Sequence, residues 1–237
     1  MVRHSHTSAN HLSGGLAILH EDRDIIVVDK PAGLLTISTE REKSRTAYFI
    51  LTDYVRKGVA KSRNRIFIVH RLDRETSGVL IFAKNEEAKF RLQDHWQDNQ
   101  KQYLAVVHGR CDKRAQTIST YLAENQAHGV YTTTDMRKGR LSRTAFTVVK
   151  ETRDYSLLDI SLLTGRKHQI RVHLAGIGHS VVGDERYGKG QKRYQRLALH
   201  ARAITFKHPF TGEQLTFNST MPAFFNTLIG PWPQATT

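Results

Sequence analysis

VHRLDRETSGVLIFAK, residues 69–84, changes character halfway along and back again. The apolar run IFIVH (66–70) reads as a strand that delivers Arg71, Leu72 and Asp73 into a turn, and GVLIFAK (78–84) reads as its partner strand. Gly78 allows a tight exit from that turn, and Thr76 and Ser77 can bond either the aspartate or the turn backbone. Asp73 lies between Arg71 and Arg74, and nearby cations favour the charged form of a carboxylate. An ionised aspartate is a poor general acid but a workable nucleophile or charge stabiliser. The local pattern is equally satisfied by an aspartate-centred turn capped by its own neighbours.

Working outward, LAILHEDRDIIVVDKPAG (16–33) predicts a strand, a polar turn, a short strand at Ile25–Val28 and a Lys-Pro-Ala-Gly corner holding Lys30. Residues 46–55 place Ala47, Ile50, Leu51, Tyr54 and Val55 on one helical face, with Gly58 as a stop. A second helix is predicted from Asn85, as cap, to Trp96. Strands follow at YLAVVHG (103–109), TAFTVVKET (144–152) and SLLDISLL (156–163), the last two joined by Arg153 and Asp154. RKHQIRVHLAGIG (166–178) reads as a short helix, VVGDERYG (181–188) as a turn-rich loop, and RLALHARAITFKHP (196–209) with TGEQLTF (211–217) as a hairpin. The tail is bounded by prolines. With no internal repeat and no low-complexity linker, the expected organisation is a disordered leader over 1–15 and one α+β domain over 16–237.

The 237 residues carry 36 Lys plus Arg against 22 Asp plus Glu, a net charge of +14. Such a surface attracts polyanions, with nucleic acid first and an anionic membrane second. The charge is clustered at 41–65, at 186–196, and at Arg137, Lys138, Arg140 and Arg143. Arg63, Arg65, Lys189, Lys192 and Arg193 are candidates for contacts to a phosphate backbone, which position a strand without reading it. Cys111 is the only cysteine, which excludes a disulfide framework and paired-cysteine zinc clusters and fits a reducing, cytoplasmic location. No stretch has the length of a membrane span, and MVRHSHTSANHLSGG lacks the apolar run of a secretory signal.

Two further polar groups stand out. Tyr103 opens a strand, where it can pack or stack against a base. GRKHQIRVH (165–173) is the densest polar cluster; on a helix Lys167 and Arg171 share one face, as do Gln169 and His173. His168 and His173 are five apart, a poor spacing for two ligands of one metal, and no metal is expected.

In order, VVDKPAG, VHRLDRETSG, KQYLAVVHG, TGRKHQIRVHLAGIGHSVVGDERYG and LHARAITFKHPFTGE resemble the RluA-type pseudouridine synthases, from about Ile18 to Phe217. The resemblance implies a mixed, mostly antiparallel sheet flanked by helices and loops around an RNA-binding cleft. It implies isomerisation of uridine to pseudouridine without cofactor or metal. Asp73 then matches the essential aspartate, Tyr103 the tyrosine beside the target base, and Arg171 the arginine paired with the aspartate. Arg71 matches the residue that displaces uridine from its stack, and Lys30 with Pro31 matches the first characteristic turn. Lys30, Arg166, His168 and Gln169 join Arg71 as expected substrate-binding or base-flipping residues. Residues 1–15 are too short for the S4-type RNA-binding module of many relatives, so a compact, monomeric member is expected. Ser180 stands where the family usually has proline, and residues 111–146 match weakly. The implied partner is structured RNA, a transfer RNA stem-loop or a hairpin of 23S ribosomal RNA. A competing reading is an RNA-binding protein of this fold without catalysis. A nuclease using Asp73 with His168 fits less well, since paired acids for two metals are lacking.

Overall fold

Four consecutive β-branched residues, Ile25 to Val28, are all buried in strand β3 (Ile25–Lys30), so both faces of this strand are covered. The computed structural model describes residues 10–40, 42–59, 61–188, 190 and 194–231. The chain forms two compact units, Met1–Asn99 with Ala201–Ser219 and Gln100–His200 with Thr220–Thr237.

In the first unit, β3 pairs antiparallel with β2 (Ala17–Glu21) on one side and β5 (Ser77–Ala83) on the other. β1 (Asn10–His11) extends the sheet at β2, and β4 (Phe67–Ile68) pairs with β5. β11 (Leu199–Lys207), whose residues from Ala201 on fall in this unit, lies next to β5 and carries β12 (Gln214–Asn218) as its hairpin mate. The register sets Lys30 opposite Gly78, the residue where the chain leaves the Asp73 turn. Gly78 has φ of +112°, and a Cβ there would overlap the Ala201 carbonyl oxygen, so β5 and the start of β11 touch only because a side chain is missing.

Helix α1 (Ala47–Arg56) starts where Thr46 Oγ1 accepts the Phe49 N–H at 3.1 Å, and ends on a left-handed Lys57 followed by Gly58. α2 (Glu86–Asp94) is capped by Asn85, as its sequence predicts, and buries Ala88 and Leu92 against Ile25, Val27, Val79 and Ile81. A 3-10 turn at Trp96–Asp98 continues it.

The second unit holds a sheet in the order β6-β10-β9-β7-β8, built of β6 (Gln100–His108), β7 (Ala115–Glu124), β8 (Val130–Thr133), β9 (Arg140–Glu151) and β10 (Tyr155–Leu162). Every ladder is antiparallel. The β9–β10 turn falls at Arg153–Asp154, closed by Thr152 N–H to the Tyr155 carbonyl at 2.8 Å. α3 (Gln169–Gly176) buries Ile170 and Leu174 in a core shared with Leu157, Leu158 and Ile160. Ser180 is buried, and its carbonyl takes the His108 N–H at 3.0 Å, so this turn is tied without proline.

The architecture is thus a mostly antiparallel sheet flanked by helices, as expected. Several elements differ from the sequence reading. IFIVH pairs only at Phe67–Ile68, because the His70 ring takes over from the backbone: its Nε2 accepts the Ile81 N–H at 3.0 Å. α3 begins at Gln169 rather than Arg166, since His168 is left-handed at φ +53°. β7, β8 and α4 (Ala223–Ile229) carry no expectation from the sequence; α4, inside the proline-bounded tail, buries Phe225 and Ile229. Of the leader expected over 1–15, Asn10–His11 is paired with Ala17–Ile18 and Ser13–Gly15 forms a 3-10 turn, while residues 1–9 lie outside the described residues.

Candidate active site

The Asp73 segment has little regular structure, so its shape depends on outside anchors. Thr36 provides two: its Oγ1 donates to the Leu72 carbonyl at 2.9 Å and accepts the Leu72 N–H at 3.2 Å. Gly33 provides two more, its N–H bonding the Arg74 carbonyl at 2.9 Å while its own carbonyl accepts Arg74 Nε at 3.1 Å. Thr76 N–H closes the turn onto the Asp73 carbonyl at 3.1 Å. His70 fixes the entry through Ile81.

The deepest anchor is Lys30. It has no exposed surface, and its Nζ donates to the carbonyls of Leu34 at 2.7 Å, Pro31 at 2.9 Å and Arg74 at 3.1 Å. Burial lowers its pKa to about 8 against the opposing pull of Glu75, Asp73 and Asp29. All three ammonium protons are used inside the protein, so Lys30 does not meet a substrate. The sequence-based expectation for Lys30 is corrected: it holds the corner and the Asp73 turn together. Asp73 itself is half-buried, with exposed Arg71 and Arg74 on either side.

The second unit carries Tyr103, Arg166, His168, Gln169 and Arg171. Tyr103 lies on β6 opposite Ile160, partly buried against the core of this unit. Arg171, 12% exposed, is held by a side chain the sequence reading did not single out: Asp184, fully buried, accepts Nε at 2.7 Å and Nη2 at 2.9 Å. Asp184 Oδ1 also accepts the N–H groups of Arg186 and Tyr187 at 3.0 Å each. Burial alone would raise the Asp184 pKa, but the Arg171 bond and charge with these two N–H groups bring it below the ordinary carboxylate value. Gly183, at φ +81°, makes the loop possible, since a Cβ there would overlap the Arg196 carbonyl oxygen. The Tyr187 ring lies 5.2 Å from the Arg171 guanidinium carbon. Tyr187 Oη is 2.8 Å from His168 Nδ1, which pins the left-handed His168 at the start of α3.

Gln169 requires a second correction. It is 2% exposed, and its amide is fully occupied: Oε1 accepts Thr164 Oγ1 and Arg166 N–H, while Nε2 donates to the Arg143 carbonyl and Thr144 Oγ1. Such an amide shapes the loop rather than a ligand. Arg166, Arg63 and Arg65 are exposed. Lys189, Lys192 and Arg193 lie outside the described residues.

Among the described residues one trio, Asp22, Asp24 and His208, brings possible metal-ligand atoms within 4.8 Å. His208 Nδ1 accepts the N–H groups of Phe210 at 3.3 Å and Thr211 at 3.2 Å, which puts the ring proton on Nε2, facing Asp22 Oδ2 at 3.2 Å. That tautomer favours a hydrogen bond over ligation. Among the described residues no helix is long and apolar enough to cross a membrane.

Each unit therefore holds one fixed polar feature, the anchored Asp73 turn in the first and Arg171 held by Asp184 in the second. The profile of the family described as RNA pseudouridylate synthase matches residues 24–176, and the chain belongs to that family. It is 34% identical over 231 residues to an uncharacterized RNA pseudouridine synthase of Mycoplasma genitalium, covering 94% of this chain and 72% of the relative. It is also 34% identical to the ribosomal large subunit pseudouridine synthase D of Nitrosomonas europaea, covering 87% of this chain and 62% of that protein. The structure of human RNA pseudouridylate synthase domain containing 1 superposes with a TM-score of 0.71 at 26% identity, over 90% of this chain and 86% of that one. The general activity of the chain is therefore that of an RNA pseudouridine synthase.

Proposed function

We propose that this protein is an RluA-type enzyme that isomerises a specific uridine in a structured ribosomal or transfer RNA, with Asp73 as nucleophile. In this reaction the N1–C1′ bond of uridine breaks while the carboxylate manages the reacting partner covalently. The uracil turns over, C5 bonds to C1′, the C5 proton is lost and N1 gains one. Arg171, oriented by Asp184, takes the part of the family's active-site arginine; Tyr103 packs against the uracil and Arg71 fills the space left in the stack. A base taken from its stack costs a few kcal/mol. The net charge of +14 compensates by gripping the backbone on either side. Arg63, Arg65 and Arg166, all exposed, suit that task.

The observation that carries this reading is the anchoring of the Asp73 turn. Two bonds from Thr36, two from Gly33 and one from a buried lysine hold a three-residue segment that a surface ion pair does not need. The test is tritium release from RNA labelled at uridine C5, with wild type and Asp73→Asn. Wild type releases tritium from ribosomal or transfer RNA, and the variant falls to background while its RNA affinity stays within about tenfold. Turnover by Asp73→Asn would remove the nucleophile. A wild type inert on both RNAs, yet binding them, would favour the binding-only reading.

A further inference from the structure

A cavity of about 470 Å³ opens beside the Asp73 turn, lined by side chains that the catalytic proposal does not use. The volume falls in the range of small-ligand sites, about 300–1,000 Å³. Its apolar wall includes Leu34, Leu35, Ile50 and Phe49, and the Phe49 ring is 49% exposed on the first turn of α1. Arg45 and Arg74 stand at its border, and Asp53 presents an exposed carboxylate.

The cavity is rigidly joined to the nucleophile turn. Its floor runs through Gly33, which exchanges two hydrogen bonds with Arg74, and Arg74 follows Asp73 directly. Leu34 and Leu35 continue the lining, and Thr36, directly after them in the chain, clamps Leu72. The other wall, α1, is docked on the same strip: Ala47 N–H bonds the Leu35 carbonyl at 2.8 Å and Tyr48 N–H the Thr36 carbonyl at 3.1 Å.

A bare aromatic ring, cations at the rim and a carboxylate within reach match one ligand chemistry. The ring offers a stacking platform, which any base can use. Arginines at the rim suit a phosphate; among the described residues Arg45, its side chain 86% exposed, pairs with Glu42 at 3.3 Å, a contact that a phosphate displaces at little cost. A carboxylate only accepts, and among the bases guanine alone presents two adjacent donors, N1–H and the 2-amino group, to a single carboxylate.

Resting on the RNA-modifying reading above, we propose that this cavity is a second nucleotide subsite, which takes an unstacked guanosine near the target uridine, stacked on Phe49 and read by Asp53. Selection of the modified site then depends on a guanine as well as on the uridine.

The test measures binding rather than turnover. Filter binding at fixed salt compares a uridine 12-mer RNA carrying one central guanosine with the same RNA carrying inosine or a third uridine-like position, plain uridine, in its place. Wild type prefers the guanosine RNA at least fivefold over the all-uridine one, and inosine, which lacks the 2-amino group, loses part of the preference. Phe49→Ala weakens binding of the guanosine RNA about 5- to 150-fold, the equivalent of one lost stacking contact. Phe49→Tyr restores it, and Asp53→Asn abolishes the preference over inosine. Equal affinity of wild type for all three RNAs overturns the subsite. So does a Phe49→Ala protein within twofold of wild type, or a Phe49→Tyr protein as weak as Phe49→Ala. Tritium release measured separately keeps the two readings apart: loss of isomerisation with this binding pattern intact sinks the enzyme assignment alone.

Discussion

Lys30→Met keeps the length of the side chain and removes its charge. In the wild type, Nζ serves three carbonyls, and one of them, that of Arg74, keeps a second donor in the Gly33 N–H. The substitution therefore strips the Pro31 and Leu34 carbonyls of the Lys30 donor, at roughly 1–3 kcal/mol for each buried acceptor. It also relieves the cost of burying the ammonium. A pKa held at about 8 instead of 10.5 corresponds to roughly 3 kcal/mol of such cost. The two terms largely offset, leaving a net change between about 1 kcal/mol of stabilisation and about 3 kcal/mol of destabilisation, a fall in Tm of at most roughly 12 °C for a chain of this size. Activity falls further than stability, at least tenfold in kcat by tritium release, because the lost bonds hold the nucleophile turn. The pH dependence has a definite sign. The native state releases the Lys30 proton near pH 8 and the unfolded chain near 10.5, so between them the unfolded chain binds more protons. The stability of the wild type relative to Lys30→Met accordingly rises over that window. Full kcat in the variant, or a stability difference that stays flat from pH 8 to 10.5, would refute the role of Lys30 as an anchor.

Two other outcomes follow from the second unit. Asp184→Asn leaves Arg171 with a neutral partner in a nearly buried site, and destabilises by roughly 3–5 kcal/mol in urea unfolding with loss of turnover; a stable, fully active variant would separate Asp184 from the arginine. His173 is buried between the hydroxyls of Thr120 and Thr144, and burial lowers its pKa from 6.5 to about 4. The unfolded chain takes up this proton first as pH falls from 6.5 to 4, so roughly 3 kcal/mol of stability is lost across that range. His173→Gln removes this dependence, as read by thermal unfolding from pH 7 to 4, and an unaltered pH profile in the variant would contradict the buried neutral ring.

Much of this organisation is legible in the residues. The Asn85 cap, the face carried by Ala47, Leu51 and Val55, and the β9–β10 turn are local signals, and local forces decide them. The anchors around Asp73 are not local. Thr36 lies 36 residues from the Leu72 carbonyl it holds and Lys30 44 residues from that of Arg74, so nothing in their immediate neighbours marks these bonds. Lys30 looks like an exposed corner lysine because lysine is almost always exposed; only the fold reveals three carbonyls converging on it. Asp184 had one available signal, an acid directly after a glycine and close in sequence to the basic cluster at 166–173, and its pairing with Arg171 spans only 13 residues. β7 alternates buried and exposed residues too irregularly to stand out, and α4 is hidden by the prolines at its ends.

Gly78 and Gly183 share a consequence. The first is the exit from the aspartate turn, the second precedes Asp184, and each faces an opposing main-chain oxygen across a gap that admits only hydrogen. At both places main chain meets main chain, so no repacking of neighbouring side chains can make room for even a methyl group. The freedom of this protein to drift in sequence is therefore narrowest beside its acids at two positions that carry no functional group at all.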